Sequence, residues 1–117
     1  MTYQAWRQAF HDMLDPRFYP ASWLDAEIAA GRMMLMAVED AAILFSVKVY
    51  PSGLKELQGE AACGNREAIV LTLIPAAERW AKSIGCESAA IQSREGWSRV
   101  MRKFGYSPYQ TSIRKVL

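Results

Sequence analysis

The sequence predicts a single α/β (α+β) domain over residues 1–117, a mixed central sheet with helices on both faces. Three observations carry that prediction. Apolar residues recur at helical spacing in residues 3–14 and 65–84. Side chains alternate between two faces through residues 41–50 and again through 54–63, as in strands with two unlike faces. A strand, a long helix and a further strand then follow in order, which requires a parallel pair with a right-handed crossover. The two earlier strands are joined too tightly for a crossover and read as an antiparallel hairpin. A mixed sheet of this kind buries both faces under helices.

The elements are justified in turn. In residues 3–14, Trp6, Phe10, Met13 and Leu14 form one helical stripe. Pro16 and Pro20 break the chain. Ser22 stands as an N-cap with Asp25 three residues on, a capping-box spacing. Trp23, Ile28 and Ala29 line the second helix, and Gly31 ends it. "MMLMAVED" and "AAILFSVKVY" are the hairpin strands. In the second, Ile43, Phe45, Val47 and Val49 face one way and Leu44, Ser46, Lys48 and Tyr50 the other. Pro51, Ser52 and Gly53 make the next turn, proline presetting one dihedral and glycine tolerating the unusual one.

"LKELQGEAAC" is the third strand. Strict alternation puts Leu57, Gly59, Ala61 and Cys63 on one face and Glu56, Gln58 and Glu60 on the other. Asn65 is a good N-cap for a long helix to about residue 84, striped by Ile69, Leu73, Ala77, Trp80 and Ile84. Pro75 lies inside it, removes one backbone hydrogen bond, and predicts a kink at 71–74. "CESAAIQS" is a short strand. Ser93 caps a last helix whose inner face is Trp97, Val100, Met101 and Phe104, with Arg94, Arg99, Arg102 and Lys103 outward. Gly105 stops it, and "QTSIRKVL" closes the chain as a strand.

Composition narrows the function classes. Hydrophobic residues make up 51% of the chain, enough for a real core in a domain that buries roughly two thirds of its unfolded surface. No apolar run approaches the ~20 residues of a membrane span, and the N-terminus lacks a basic start followed by an apolar block, so a cytoplasmic protein is expected. Cys63, Cys86 and His11 do not make a clustered metal-ligand pattern, and the cysteines read as buried, reduced thiols. His11 reads as a surface or interface residue. A formal charge of +2 is too small to argue for nucleic acid. The basic residues Arg94, Arg99, Arg102, Lys103, Arg114 and Lys115 have no interleaved aromatics on which bases could stack.

The order of elements, the helix-to-strand passage "AERWAKSIGCESAAI" and the helix end "VMRKFGY" resemble the GCN5-related N-acetyltransferase family over residues 22–117. "REGWSRVMRKFGY" is similar to a phage or prophage subgroup. The resemblance implies a truncated form of that acyltransferase fold. It lacks a first strand and has its final hairpin reduced to one strand. Pairing with a second copy would cover the open sheet edge, so a homodimer is expected.

The resemblance also implies acetyl-coenzyme A between two parallel strands, with its diphosphate on backbone N–H groups at the start of the long helix. The positions that map to that loop are Cys63, Gly64, Asn65 and Arg66. They depart from the family's pattern of Gln or Arg, two residues, Gly, one residue, and Gly or Ala. Glu67 in the first helical turn suits the helix dipole but repels a diphosphate, and Arg66 offers a compensating guanidinium. The tyrosine that protonates the leaving thiolate in many members is replaced by Met101, which has no proton to give, and Tyr106 reads as a packing aromatic. Glu60, with Glu56 behind it, is the candidate general base. These departures favour a non-catalytic or weakly active binding or assembly protein. The alternative is an acetyl-coenzyme A-dependent N-acetyltransferase acting on a primary amine.

Overall fold

A computed structural model describes residues 2–93 and 95–117. Two helices, α1 (Tyr3–Met13) and α2 (Ala21–Ala29), precede three antiparallel strands, β1 (Met34–Val38), β2 (Ala41–Val49) and β3 (Lys55–Gly64). One long helix follows in three contiguous segments: α3 (Arg66–Ala68), a π-helical stretch (Ile69–Leu73) and α4 (Ile74–Ser83). β4 (Ser88–Ile91) pairs parallel with β3, and α5 (Glu95–Met101) with a 3₁₀ turn (Arg102–Phe104) completes the order. The sheet runs β1-β2-β3-β4. The predicted mixed sheet between two helical layers is the observed one.

Each sheet face buries its own cluster. Ile43, Phe45 and Leu57 pack against Ile69, Leu73, Ala77 and Ala81 of the long helix. Leu44 and Ala42 pack against Phe10 of α1 and Leu24 of α2. Phe10 and Leu24 are fully buried. The predicted parity of β2 holds, and it fixes which helices lie on which side.

Strict alternation fails in β3. Leu44 pairs with Ala61 but Phe45 pairs with Gly59, so Glu60 is an extra residue in a β-bulge. Beyond it the parity reverses. Ala62 packs on the long-helix side, whereas Ala61 and Cys63 join the α1–α2 side. Cys63 and Cys86 are half-buried free thiols rather than core residues.

Pro75 acts through the π-helical stretch just before it. There the Ile74 N–H reaches back five residues to the Ile69 carbonyl. The wide turn accommodates a proline that cannot donate to the ladder.

Other expectations are corrected. Ser22 caps nothing: α2 starts at Ala21 after Pro20, with no side-chain cap. Asp25 is drawn away to Arg7, in a bidentate pair at 2.9 and 2.8 Å, and to the Tyr3 hydroxyl at 2.8 Å. His11 is not a surface residue; its side chain is 10% exposed and its Nε2 lies 3.1 Å from that same hydroxyl. Together these side chains staple α1 to α2. Phe104 is exposed, with the Lys103 ammonium over its ring.

Residues 110–117 form no strand. Ile113 and Leu117 share one parity and Val116 takes the other, but all three are exposed, so no face is buried to fix a register. Instead the segment returns to the α1–α2 turn, where the Arg114 guanidinium stacks 4.1 Å from the Phe18 ring. The cap assigned to Ser93 abuts Arg94, which lies outside the described residues, as does the outward placement of Arg94 itself.

Candidate functional site

The site begins where β3 and β4 part. Their ladder has four rungs, from Glu56 opposite Ser88 to Gly59 opposite Ile91. One more hydrogen bond, Gln92 N–H to the Gly59 carbonyl at 3.2 Å, closes it. β4 then ends, while β3 continues to Gly64 paired with β2. On the β4 side, residues 60–63 of β3 therefore have no strand partner among the described residues. The bulge at Glu60 increases local twist at this point and so widens the divergence.

A cavity of about 450 Å³ fills the divergence. It passes through the sheet plane: Ile43, Phe45 and Ala77 line it from the long-helix side, Leu14, Leu44 and Ala61 from the α1 side. The lining is mostly apolar. Its polar side chains are Glu60, Gln92, Ser93 and Tyr106, with the Trp97 indole beside them. A few polar groups in an apolar cleft of this size make the usual composition of a small-molecule site.

The two candidate carboxylates separate clearly. Glu56 lies outside the cavity and accepts from Tyr50 Oη at 2.7 Å, Gln58 Nε2 at 3.1 Å and Ser88 Oγ at 2.8 Å. Burial pushes its carboxyl up, but those three donors outweigh it and hold it below the usual range. Glu60 is in the cavity wall and accepts from Ser46 Oγ at 2.8 Å. Tyr106 also lines the cavity. Its hydroxyl donates to Glu78 Oε2 at 2.6 Å, and burial, then this bond, push it well up. It is a neutral wall group tied to α4. Met101, at the position of the expected acid, is buried.

Cys63, Gly64, Asn65 and Arg66 do not line the cavity. Burial pushes the Cys63 thiol up, and its side chain packs on the α1–α2 side. Gly64 has φ +100°, and a Cβ there would sit 2.2 Å from the Asp40 carbonyl oxygen. Its bareness serves the crossing under the β1–β2 turn, where Asn65 N–H donates to that same oxygen at 2.8 Å. Asn65 Oδ1 accepts from Ala68 N–H at 3.1 Å, so one of the helix's free amides is already satisfied. Arg66 is exposed. Among the described residues no cluster of His, Cys, Asp or Glu could hold a metal ion.

A mixed sheet whose one parallel pair, β3 with the edge strand β4, opens at a bulge, with the long helix starting just after, decides the fold. It is that of the GCN5-related N-acetyltransferases.

Solved structures of this fold agree. A predicted acetyltransferase with acetyl-CoA from Clostridium acetobutylicum is similar at TM-score 0.66 and 9% identity, covering 88% of this chain and 76% of that one. The ribosomal-protein-alanine N-acetyltransferase of Brucella melitensis biovar Abortus 2308 gives 0.65 and 11%, covering 97% and 94%. A Trypanosoma brucei acetyltransferase gives 0.61 and 15%, covering 87% of each. At such identities the likeness establishes the acetyltransferase fold alone. No protein-family model and no curated protein matches the sequence. No helix among the described residues is long and apolar enough to cross a membrane.

Sequence reasoning found Glu60 but missed Gln92, Ser93 and the cavity-facing part of Trp97. Only a signal for the splay could have found them, and the extra residue of a bulge leaves none in a single sequence.

Proposed function

We propose that the chain binds a coenzyme A thioester in the β3–β4 cleft and transfers its acyl group to an amine. The open cleft carries this reading: the space beside residues 60–62 is not filled by side chains. Strand N–H and C=O groups at that edge, which have no strand partner among the described residues, suit an extended chain with amides of its own, as pantetheine has, by the logic of strand addition. A bound thioester would supply an activated acyl carbon. The chain's part is to orient it against the amine and keep water away with an apolar lining. Glu60, with Ser46 on one oxygen, accepts the proton of the attacking amine directly or through one water. Met101 and the raised Tyr106 leave the thiolate to be protonated by solvent. Cys63, Gly64, Asn65 and Arg66 hold at most the phosphate end: Arg66 by its guanidinium, the others by backbone. The four-residue β4 is an edge strand, and pairing along it would make the homodimer.

A second reading, a binding protein without turnover, is favoured by the amide already taken by Asn65 and by the Met101 thioether. Calorimetry with acetyl-coenzyme A, followed by an assay of thiol released in the presence of simple primary amines, tests both. Micromolar binding with amine-dependent thiol release supports transfer. Binding without release leaves the second reading. No heat at millimolar ligand removes the first.

A further inference from the structure

Gly59 occupies the apex of the cleft, the last rung between β3 and β4. A glycine inside a strand weakens it, because the bare residue loses more conformational freedom on folding. Such a residue calls for a reason, and two common ones fail. Five of the seven glycines have positive φ, but Gly59 does not, so its backbone is open to any residue. A Cβ placed on it would meet Ile91 Cγ1 as its nearest neighbour, a side-chain atom at 3.4 Å, within ordinary contact range. Neither dihedral strain nor packing requires glycine here.

What remains is the space. Gly59 lines the cavity, and its empty side-chain position lies on the same face as Phe45 and Leu57. The nearest atoms to that position are Ile91 Cγ1 and, at 3.7 Å, the Ala90 carbonyl oxygen, while Ala62, Ala77 and Ala89 contribute only methyl groups to the wall of the same cavity. The cavity wall on this face is therefore mainly hydrocarbon, and it suits hydrocarbon. We infer that Gly59 is the specificity-determining residue for the acyl group, keeping the apex of the cleft open for an aliphatic acyl chain longer than acetyl. This rests on the thioester-binding reading above and adds the class of donor.

The test is the variant Gly59→Ala, read against a series of acetyl-, propionyl- and butyryl-coenzyme A by calorimetry, with thermal unfolding alongside. Wild type should gain about fourfold in affinity per added methylene, or about 15-fold from acetyl to butyryl. Gly59→Ala should cut that ratio below about fourfold. It should also raise Tm by about 2–5 °C, since a compatible alanine restricts the unfolded chain. The gain in Tm beside the loss of chain-length preference is what a structural glycine would not give. A fall in Tm assigns Gly59 to the fold and overturns the inference. So does a wild type indifferent to chain length, or a variant that keeps the full ratio. If none of the three thioesters binds, the functional proposal itself fails and this inference goes with it.

Discussion

Gly64→Ala should unfold the junction that seats the long helix. The residue sits at φ +100°, where a side chain costs about 1–2 kcal/mol. The new Cβ would also stand 2.2 Å from the Asp40 carbonyl oxygen and 2.7 Å from Ala41 Cα, both backbone atoms that cannot rotate aside. Separating the two segments breaks the 2.8 Å bond from Asn65 N–H to Asp40, worth about 0.5–1.5 kcal/mol. The sum is about 1.5–3.5 kcal/mol before any strain passed into the β1–β2 turn, against a total stability of about 5–15 kcal/mol for such domains. Urea unfolding followed by tryptophan fluorescence, read at constant m-value, measures it directly. A loss below about 0.5 kcal/mol would refute the assignment of this glycine to chain crossing and return it to the anion loop.

Further outcomes follow from the same contacts. Glu60→Gln should lower amine-dependent turnover by about a hundredfold or more while leaving thioester affinity in place, and Glu56→Gln, outside the cavity, should not; comparable losses in both would remove Glu60 as the base. Asn65→Ala deletes the acceptor for Ala68 N–H and should cost about 1 kcal/mol by chemical denaturation, an unchanged midpoint contradicting the cap. The hydrogen bonds from Arg7 and then Tyr3 hold the Asp25 carboxyl at about 2, below its ordinary 3.8. A depressed folded value means the stabilisation is whole above about pH 4 and is lost as pH falls toward 2. Tm measured across that window should fall less steeply in Asp25→Asn than in wild type, and parallel curves would show that the staple is not ionic.

Much of the architecture was legible because it rests on periodicity. The stripe Ile69, Leu73 and Ala77 and the parity of β2 each bury a face, and a face can be read from spacing. Gly31 and Gly105 ended helices because positive φ leaves glycine as the cheap residue. Reading failed where one residue changed the count. The bulge at Glu60 turned Ala61 and Cys63 to the opposite side, and nothing in "QGEAAC" announces an extra residue. It failed again where a distant partner outbid a local one: Asp25 fits a capping box in sequence but meets Arg7, eighteen positions away, in space. The tail 110–117 looked like a strand from composition, yet strands exist by pairing, and Arg114 found Phe18 instead. The candidate site was half visible for the same reason. A carboxylate on a strand can be named from sequence, but a gap between two strands cannot.

The most direct measurement is a titration of the isotopically labelled chain with acetyl-coenzyme A, followed by backbone amide shifts. The account predicts saturable shifts centred on Gly59, Glu60, Ala61, Ala62 and Gln92, the residues at the parting of β3 and β4. Shifts absent there at millimolar ligand, or confined to the start of the long helix at residues 64–68, would contradict it.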